Sequence, residues 1–548
     1  MGLAYLMPGH YLPWTAFEPQ VVSAFGFALI ASAACFMRAP AGLRPGLLGW
    51  TALALAFLPP LQWTLGQVRF LSDAALPSLY LVGLAMAVTA GHAIARVFGS
   101  RAHAWLFNSL AIAAGLSAAI AWQQWLGQSV LPMANGAMPG SRTVGNLAQP
   151  NHLSTLLVLG LIGVLDAFQR GRLGVGVTAL AAIWLGGAVV TTQSRTGWLC
   201  MGFLAFWLLW QKRRASSRVT PVAVIVMSAL FAALVMSWER INSYLLLMPA
   251  SLAERTAAGT RLLHWKSLSD AALREPWWGY GWNQVSLAQL RTASEYAASG
   301  EQLTNAHNIA LDLVLWCGLP MGLAVIGLLM FWIARQVRQC TSQGASSLLA
   351  AVVVISIHSL LEYPLDHAHF LIPWGIMIGM LDANGKAHWG PDLPRNAARG
   401  LVIFAVGLLS LVVSDYMAVD RASRALRLQM AGILGGPPGA VPAPNVRLLD
   451  ALREHHLYII TLARSGMSDA ELQWMRRMVE RYPFPPAILR YAVAAGLNQR
   501  PAEAEQVLAW LCKIHSRQRC DEGIDSWRAA GELHPALSAI PGPRSPWP

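Results

Sequence analysis

Charge is what this sequence has least of. Asp, Glu, Lys and Arg make up 12% of its 548 residues, whereas 55% are hydrophobic and the mean hydropathy is +0.44. Soluble domains carry about a quarter charged residues, so an ordinary soluble protein is excluded and a membrane class is indicated. Cysteine is also rare: Cys35, Cys200, Cys317, Cys340, Cys512 and Cys520 include no CxxC pair and no zinc-like spacing, and no metal site is expected. No basic segment precedes the first apolar run, which starts near Gln20 and leads into further runs, so a cleavable signal peptide is not expected. A net charge of +13 and a pI near 9.9 would suit a nucleic-acid partner, but no groove-reading motif is present and the Lys and Arg residues sit in short clusters between apolar stretches. That is the distribution of cytoplasmic loops in a membrane protein, and no nucleic-acid partner is expected.

A transmembrane helix needs about 20 apolar residues, with about 17 as a lower limit. Qualifying stretches run over 20–37, 45–63, 76–95, 104–125, 152–169, 173–191, 196–211, 219–237, 309–334, 345–363, 367–382 and 400–417. The expectation is an all-α polytopic bundle of about twelve spans, those at 196–211 and 367–382 borrowing flanking residues. Placing the connections alternately on two sides collects fifteen basic residues on one side, from Arg38 and Arg44 to Arg395 and Arg399. The short connections of the other side hold only Arg69, Arg142 and Arg195. The positive-inside rule makes the first side cytoplasmic. The N-terminus, the long 238–305 loop and the C-terminal region are then external, facing the periplasm if the cell is Gram-negative.

Residues 418–548 hold 16 Lys and Arg and 12 Asp and Glu, about 21% charged, against about 9% over 1–417. The chain therefore divides into a transmembrane domain, 1–417, and a separate external helical domain, 418–548. Within the latter, Arg490-Tyr-Ala-Val-Ala-Ala-Gly, Leu497-Asn-Gln-Arg and Pro501-Ala-Glu-Ala-Glu-Gln-Val-Leu-Ala-Trp-Leu read as two helices joined by a short turn, with Pro501 at a helix start. That is a hairpin of the tetratricopeptide kind or part of a bundle without repeats, since one hairpin is not an array. Cys512 and Cys520 lie eight positions apart in this domain, where an oxidising compartment permits a disulfide.

With this orientation the polar residues near spans collect at external helix ends. They occur in four segments: Ser141 to His152, Thr191 to Gly197, Asn305 to Asn308, and His358 to Pro364. Arg195 stands between Ser194 and Thr196 in a very short turn and breaks the positive-inside pattern. An interfacial arginine is commonly a snorkelling anchor; here a fixed guanidinium suits bidentate phosphate binding. His307 is either a helix-end residue, with Asn305 or Asn308 capping, or a general base, because a neutral imidazole accepts a proton near working pH. Glu362 is a carboxylate beside an apolar span, costly there unless paired, and an ion pair with an arginine is its plain alternative. Arg255 and Arg261 in the long loop are either solvated charge or phosphate contacts.

These residues resemble the O-antigen ligase superfamily, and within it the bacterial protein O-oligosaccharyltransferases. The resemblance rests on Pro8-Gly-His10 with Pro13-Trp14 and Glu18, Gly145-Asn-Leu-Ala-Gln-Pro-Asn151, Thr192-Gln-Ser-Arg195-Thr-Gly197, Pro276-Trp-Trp-Gly-Tyr-Gly-Trp282, Ala306-His-Asn308 and His358-Ser-Leu-Leu-Glu-Tyr-Pro364, and it covers nearly the whole chain. It implies a GT-C-like membrane glycosyltransferase in the inner membrane that moves a preassembled glycan from undecaprenyl diphosphate to Ser or Thr of a pilin or other periplasmic protein, without metal or cofactor. It further implies His307 as the base and Arg195 as the stabiliser of the diphosphate leaving group. Arg142, Arg255, Arg261, Gln149, Asn151, Asn308 and Glu362 would complete the diphosphate-binding surroundings. The chain departs from the family pattern at Asn305, where relatives often have a second histidine, and at Trp316, where many have an acidic residue. A hydrophobic helix usually precedes the Pro-Trp segment, and residues 1–13 are too short to span, so an upstream start is expected to be missing. Ligation of O-antigen to lipid A core, or polymerisation of glycan on its carrier, would use the same fold; the external helical domain favours a protein acceptor. A lipid-linked sugar transporter would instead place ionisable residues near the bilayer midplane.

Overall fold

The structure is a computed structural model that describes residues 2–36, 43–128, 135–136, 138–212, 217–247, 259–385, 389–436 and 441–547. Helices carry it; the β pairing among the described residues is one isolated antiparallel bridge between Leu43 and Leu393. In chain order the helices are α1 (Phe17–Phe36), α2 (Gly46–Leu55), α3 (Leu58–Thr64), α4 (Leu71–Phe98), α5 (Ser100–Leu126), α6 (Pro150–Gln169), α7 (Val175–Thr192), α8 (Arg195–Lys212), α9 (Pro221–Met236), α10 (Trp238–Tyr244), α11 (Arg261–Arg274) and α12 (Val285–Thr292). They continue as α13 (Ile309–Gln339), α14 (Gln343–Ser359), α15 (Ala368–Asn384), α16 (Arg395–Met430), α17 (Asp450–Ile460), α18 (Asp469–Arg481), α19 (Pro485–Leu497), α20 (Pro501–Ile514), α21 (Arg517–Leu533) and α22 (Pro535–Ser538).

Every apolar stretch of the sequence holds a helix, but among the described residues seven helices are long and apolar enough to cross a membrane: α1, α4, α5, α6, α7, α13 and α16. An eighth crossing is available if α9 and α10, bent by 55° at their junction, form one span. The stretch 45–63 is broken into α2 and α3, because a proline opens α3 and cannot continue the preceding helix. Inside α13, Gly318 has φ 78 and interrupts the helix just before Pro320.

The chain forms two compact units. The first comprises 1–55, 79–257 and 327–409. At its centre α6 packs against α5, α7, α8 and α14, with Leu153, Leu156, Leu157, Val158 and Leu159 wholly buried.

The second unit comprises 56–78, 258–326 and 410–548. Its core joins Met475, Ile488, Tyr491, Leu508 and Leu511 of α18–α20 to Phe70 and Leu290. Asp450 accepts from the backbone N–H groups of Leu71 and Ser72, both at 2.8 Å, and so caps the start of α4. Arg481 grips Asp73 through two hydrogen bonds of 2.8 Å, and Arg69 pairs with Glu480. The expected hairpin is α19 and α20, with Pro501 in the first turn of α20, and Cys512 and Cys520 are joined as a disulfide.

Candidate active site

Three of the four polar segments lie in the first unit, and side-chain hydrogen bonds link them. Gln149 is extended and precedes α6, which Pro150 opens. Asn151 donates to one oxygen of Glu362 at 2.8 Å and Gln149 to the other at 3.3 Å. The Asn151 carboxamide oxygen accepts from Ser194 Oγ at 2.6 Å, and Ser194 Oγ accepts from Gly197 N at 3.0 Å. A polar chain thus runs from Glu362 to the turn that carries Arg195. In that turn Gln193 takes a left-handed conformation, φ 49, and Arg195 opens α8. Residues 191–194 and Thr196 are buried while Arg195 is exposed.

Arg142 reaches the same turn. Its Nε donates to the Thr192 carbonyl at 3.1 Å, and the Thr143 and Thr191 hydroxyls share a hydrogen bond of 2.7 Å. Gln124 holds the loop from behind, accepting from Val144 N at 3.1 Å and Gly145 N at 2.9 Å. Two exposed guanidiniums are therefore anchored to one turn, one of them at a helix N-terminus where the backbone also favours an anion. The arrangement suits a phosphate or diphosphate.

His307, Asn308 and Arg261 lie in the second unit. His307 is half-buried with φ 52. The residue before it is clamped from both sides: Ala306 N donates to Asp312 at 2.8 Å, and Trp265 Nε1 donates to the Ala306 carbonyl at 2.9 Å. Asn308 caps α13, its side-chain oxygen accepting from Ala310 N at 3.0 Å, which leaves its amide group for other partners. Arg261 is the first residue of α11 and is half-buried. Arg255 lies outside the described residues.

The chain is similar to the general O-oligosaccharyltransferase of Acinetobacter baylyi (strain ATCC 33305 / BD413 / ADP1), with 30% identity over 537 residues, covering 94% of this chain and 91% of the relative. It belongs to the bacterial O-oligosaccharyltransferases. The ComP-specific O-oligosaccharyltransferase of the same organism is 29% identical over 245 residues, 44% of each chain. Family models agree: O-antigen ligase over 180–326, protein glycosylation ligase over 144–165, and the C-terminal part of a virulence factor membrane-bound polymerase over 347–522. The protein is an enzyme, a glycosyltransferase of the O-antigen ligase superfamily.

In this O-oligosaccharyltransferase the segment Pro276–Trp282 is an architectural element. Tyr280 N donates to the Leu315 carbonyl and Leu319 N to the Pro276 carbonyl, both at 2.7 Å, bracketing the break at Gly318. A Cβ at Gly318 would fall 2.2 Å from the Trp277 carbonyl oxygen, and one at Gly279 2.4 Å from that of Leu315, so only glycine permits the approach. Trp316 stacks on Trp282 with ring centres 4.8 Å apart.

Two groups beside His307 carried no signal in the sequence. His264 is buried on α11 with Nδ1 3.7 Å from Glu301, which also accepts from the Thr260 hydroxyl at 2.8 Å. Burial lowers the His264 pKa below its ordinary value; Glu301 opposes this, and His307 and Arg261 add to it. In the first unit the His152 ring lies 4.6 Å from that of His367 and 5.4 Å from that of His358, whose Nδ1 is 2.9 Å from the Thr155 hydroxyl. The pair 367 and 369 was the available hint.

Proposed function

We propose that this enzyme moves a preassembled glycan from undecaprenyl diphosphate to a Ser or Thr hydroxyl of a pilin or other periplasmic protein. The observation that carries this reading is the extent of the similarity. The relative named general O-oligosaccharyltransferase aligns over 94% of the chain, so the charged helical region is shared along with the membrane part. A lipid acceptor arrives through the bilayer and needs no such external surface.

His307 takes the proton of the acceptor hydroxyl as its oxygen attacks the anomeric carbon, and the bond from that carbon to the diphosphate oxygen breaks. Arg195, with help from Arg142, Arg255 or Arg261, meets the charge that develops on the leaving diphosphate. Glu362, Asn151 and Gln149 act by holding the Arg195 turn, and Asn308 by starting α13. Guanidiniums take the part that a divalent cation plays elsewhere, and the external loops carry no Asp-x-Asp pair. The site then faces the periplasm from the inner membrane.

The test is a host that carries a lipid-linked glycan and a candidate pilin, comparing wild type with His307→Ala by mass spectrometry of the pilin and by lipopolysaccharide profile. A mass gain that the substitution abolishes supports the reading, as does a wild-type rate in purified form that EDTA leaves unchanged. An unmodified pilin with glycan newly attached to lipid A core would overturn it.

A further inference from the structure

Within the second unit, α12 faces α18 and α20 across a cavity of about 260 Å³. Sites that enclose a whole small molecule run to roughly 300–1,000 Å³, so this one is the size for an anchoring side chain or two. From α12 the lining residues are Leu287, Leu290 and Arg291, with Ser294 just beyond, the i, i+3, i+4, i+7 spacing of one helix face. The opposite wall is Glu480, Gln506, Ala509 and Trp510.

The floor is apolar, with Leu290 and Trp510 4% and 7% exposed. Apart from the Ser294 hydroxyl, which can donate or accept, the polar groups around it are left as donors once their own bonds are accounted for. Glu480 accepts from Arg69 and, at 3.2 Å, from Arg476. The Gln506 oxygen accepts from Arg476 at 3.0 Å, which leaves its amide N–H groups. Arg476 and Arg500 share Glu503, and Arg481 holds Asp73. Arg291 is exposed and has no carboxylate partner among the described residues. An apolar pocket rimmed by donors and one uncompensated cation calls for an apolar group beside a carboxylate.

We infer that this cavity docks the acceptor polypeptide, taking an apolar side chain on the Leu287, Leu290 and Trp510 floor and an adjacent Asp or Glu on Arg291. The inference rests on the protein-acceptor reading above. The other face of α12 gives the site its place in the reaction. Ser286 donates to the Leu303 carbonyl at 2.7 Å, and Gln289 bonds the Glu301 carbonyl at 2.8 Å and Leu303 N at 2.9 Å. The helix that lines the cavity thus fixes the chain leading into His307.

The test uses the purified full-length enzyme with lipid-linked glycan and an acceptor protein it modifies, comparing wild type with Ala509→Trp, which fills the cavity, and Arg291→Glu. Both positions are exposed, so the fold is unaffected; equal thermal transitions verify this. The expected result is an acceptor KM raised about tenfold or more in each variant, with kcat at saturating acceptor and the donor KM within about twofold of wild type. The peptide acetyl-Gly-Leu-Asp-Gly-amide should compete with acceptor on wild type, and acetyl-Gly-Leu-Lys-Gly-amide should not. Unchanged acceptor KM in both variants overturns the inference, and so does a rise in donor KM instead, which would give the cavity to the glycan. If wild type modifies no protein and instead extends or transfers lipid-linked glycan, the protein-acceptor reading itself fails, a result visible without either variant.

Discussion

Glu362 and Arg195 are joined by two side chains, and that chain has a measurable weight. Asn151 supplies both a donor to Glu362 and an acceptor for Ser194. Hydrogen bonds to charged groups contribute about 1.5–3 kcal/mol each. Asn151→Leu should therefore lower the thermal transition in detergent and cut initial transfer rates by about tenfold or more; a variant with wild-type rate would remove the chain from the site. At Arg195 the chemistry separates charge from geometry. Arg195→Lys keeps the charge but loses the planar fork, so the transfer rate should fall, and Arg195→Ala should fall further, by about 100- to 1,000-fold, as for loss of a transition-state donor. Equal rates for Lys and Arg would remove the planar fork from the argument, and an unchanged rate in Arg195→Ala would leave the residue as a membrane anchor only.

His455 ties pH to stability at the same scale. It packs on Tyr482 with ring centres 4.7 Å apart, and burial, with His456, Arg481 and Arg490 adding to it, pushes its pKa down to about 4. An unfolded histidine titrates near 6.5. The unfolded state therefore binds the proton first, and stability present above pH 6.5 falls by about 3 kcal/mol as the pH drops toward 4. Thermal scans at pH 7.5 and 4.5 should show a drop that is smaller in His455→Phe, with His264 and His515, also lowered chiefly by burial, accounting for part of what remains.

At the scale of elements, the disulfide holds more than the turn it closes. Lys513, inside its loop, gives its carbonyl to Ser299 N at 2.9 Å and its ammonium to the Tyr296 carbonyl at 2.7 Å. Closing a loop of eight residues contributes about 2.5 kcal/mol on chain-entropy grounds. Replacing Cys512 and Cys520 by serine should lower the thermal transition and speed amide exchange in 296–301, the segment that approaches His307; unchanged exchange there would confine the disulfide to local bracing. Apolar content located the helices, and Pro501 announced the hairpin, because a helix start has local chemistry. The break at Gly318 did not show in the same way. Hydropathy counts side chains, while that break exists because the Pro276–Trp282 backbone docks against 315–319, a contact made across more than thirty residues of sequence. His264 and Glu301 were hidden for a related reason: each is ordinary in its own segment, and only α11 folding beside 301–306 brings them near His307. The 45–63 stretch reads as one apolar run, and it breaks into α2 and α3 beside Pro59, a backbone constraint that hydropathy does not register.

For the whole molecule, the parity of crossings decides what the two units share. Twelve crossings put residue 1 and residue 548 on the same side, whereas the seven long helices alone put them on opposite sides. The second unit constrains the crossings between its own segments, because it gathers 56–78, 258–326 and 410–548 into one compact body with shared ion pairs. Arg69, on the connection before α4, pairs with Glu480 on α18, so these two segments must be on one side of the membrane. Five crossings of the long class, α4 to α7 and α13, stand between Arg69 and α16, and α16 makes a sixth before Glu480. The remaining helices α8, α9, α14 and α15 must then cross as an even number or lie as re-entrant pairs. Single cysteines at Glu275 and Ser526 should both react with a membrane-impermeant maleimide added to spheroplasts, and one at Arg172 only after lysis. Labelling of position 275 without 526 would contradict both the shared unit and the even count, whereas labelling of 172 alone would invert the orientation and place Arg195 on the cytoplasmic face.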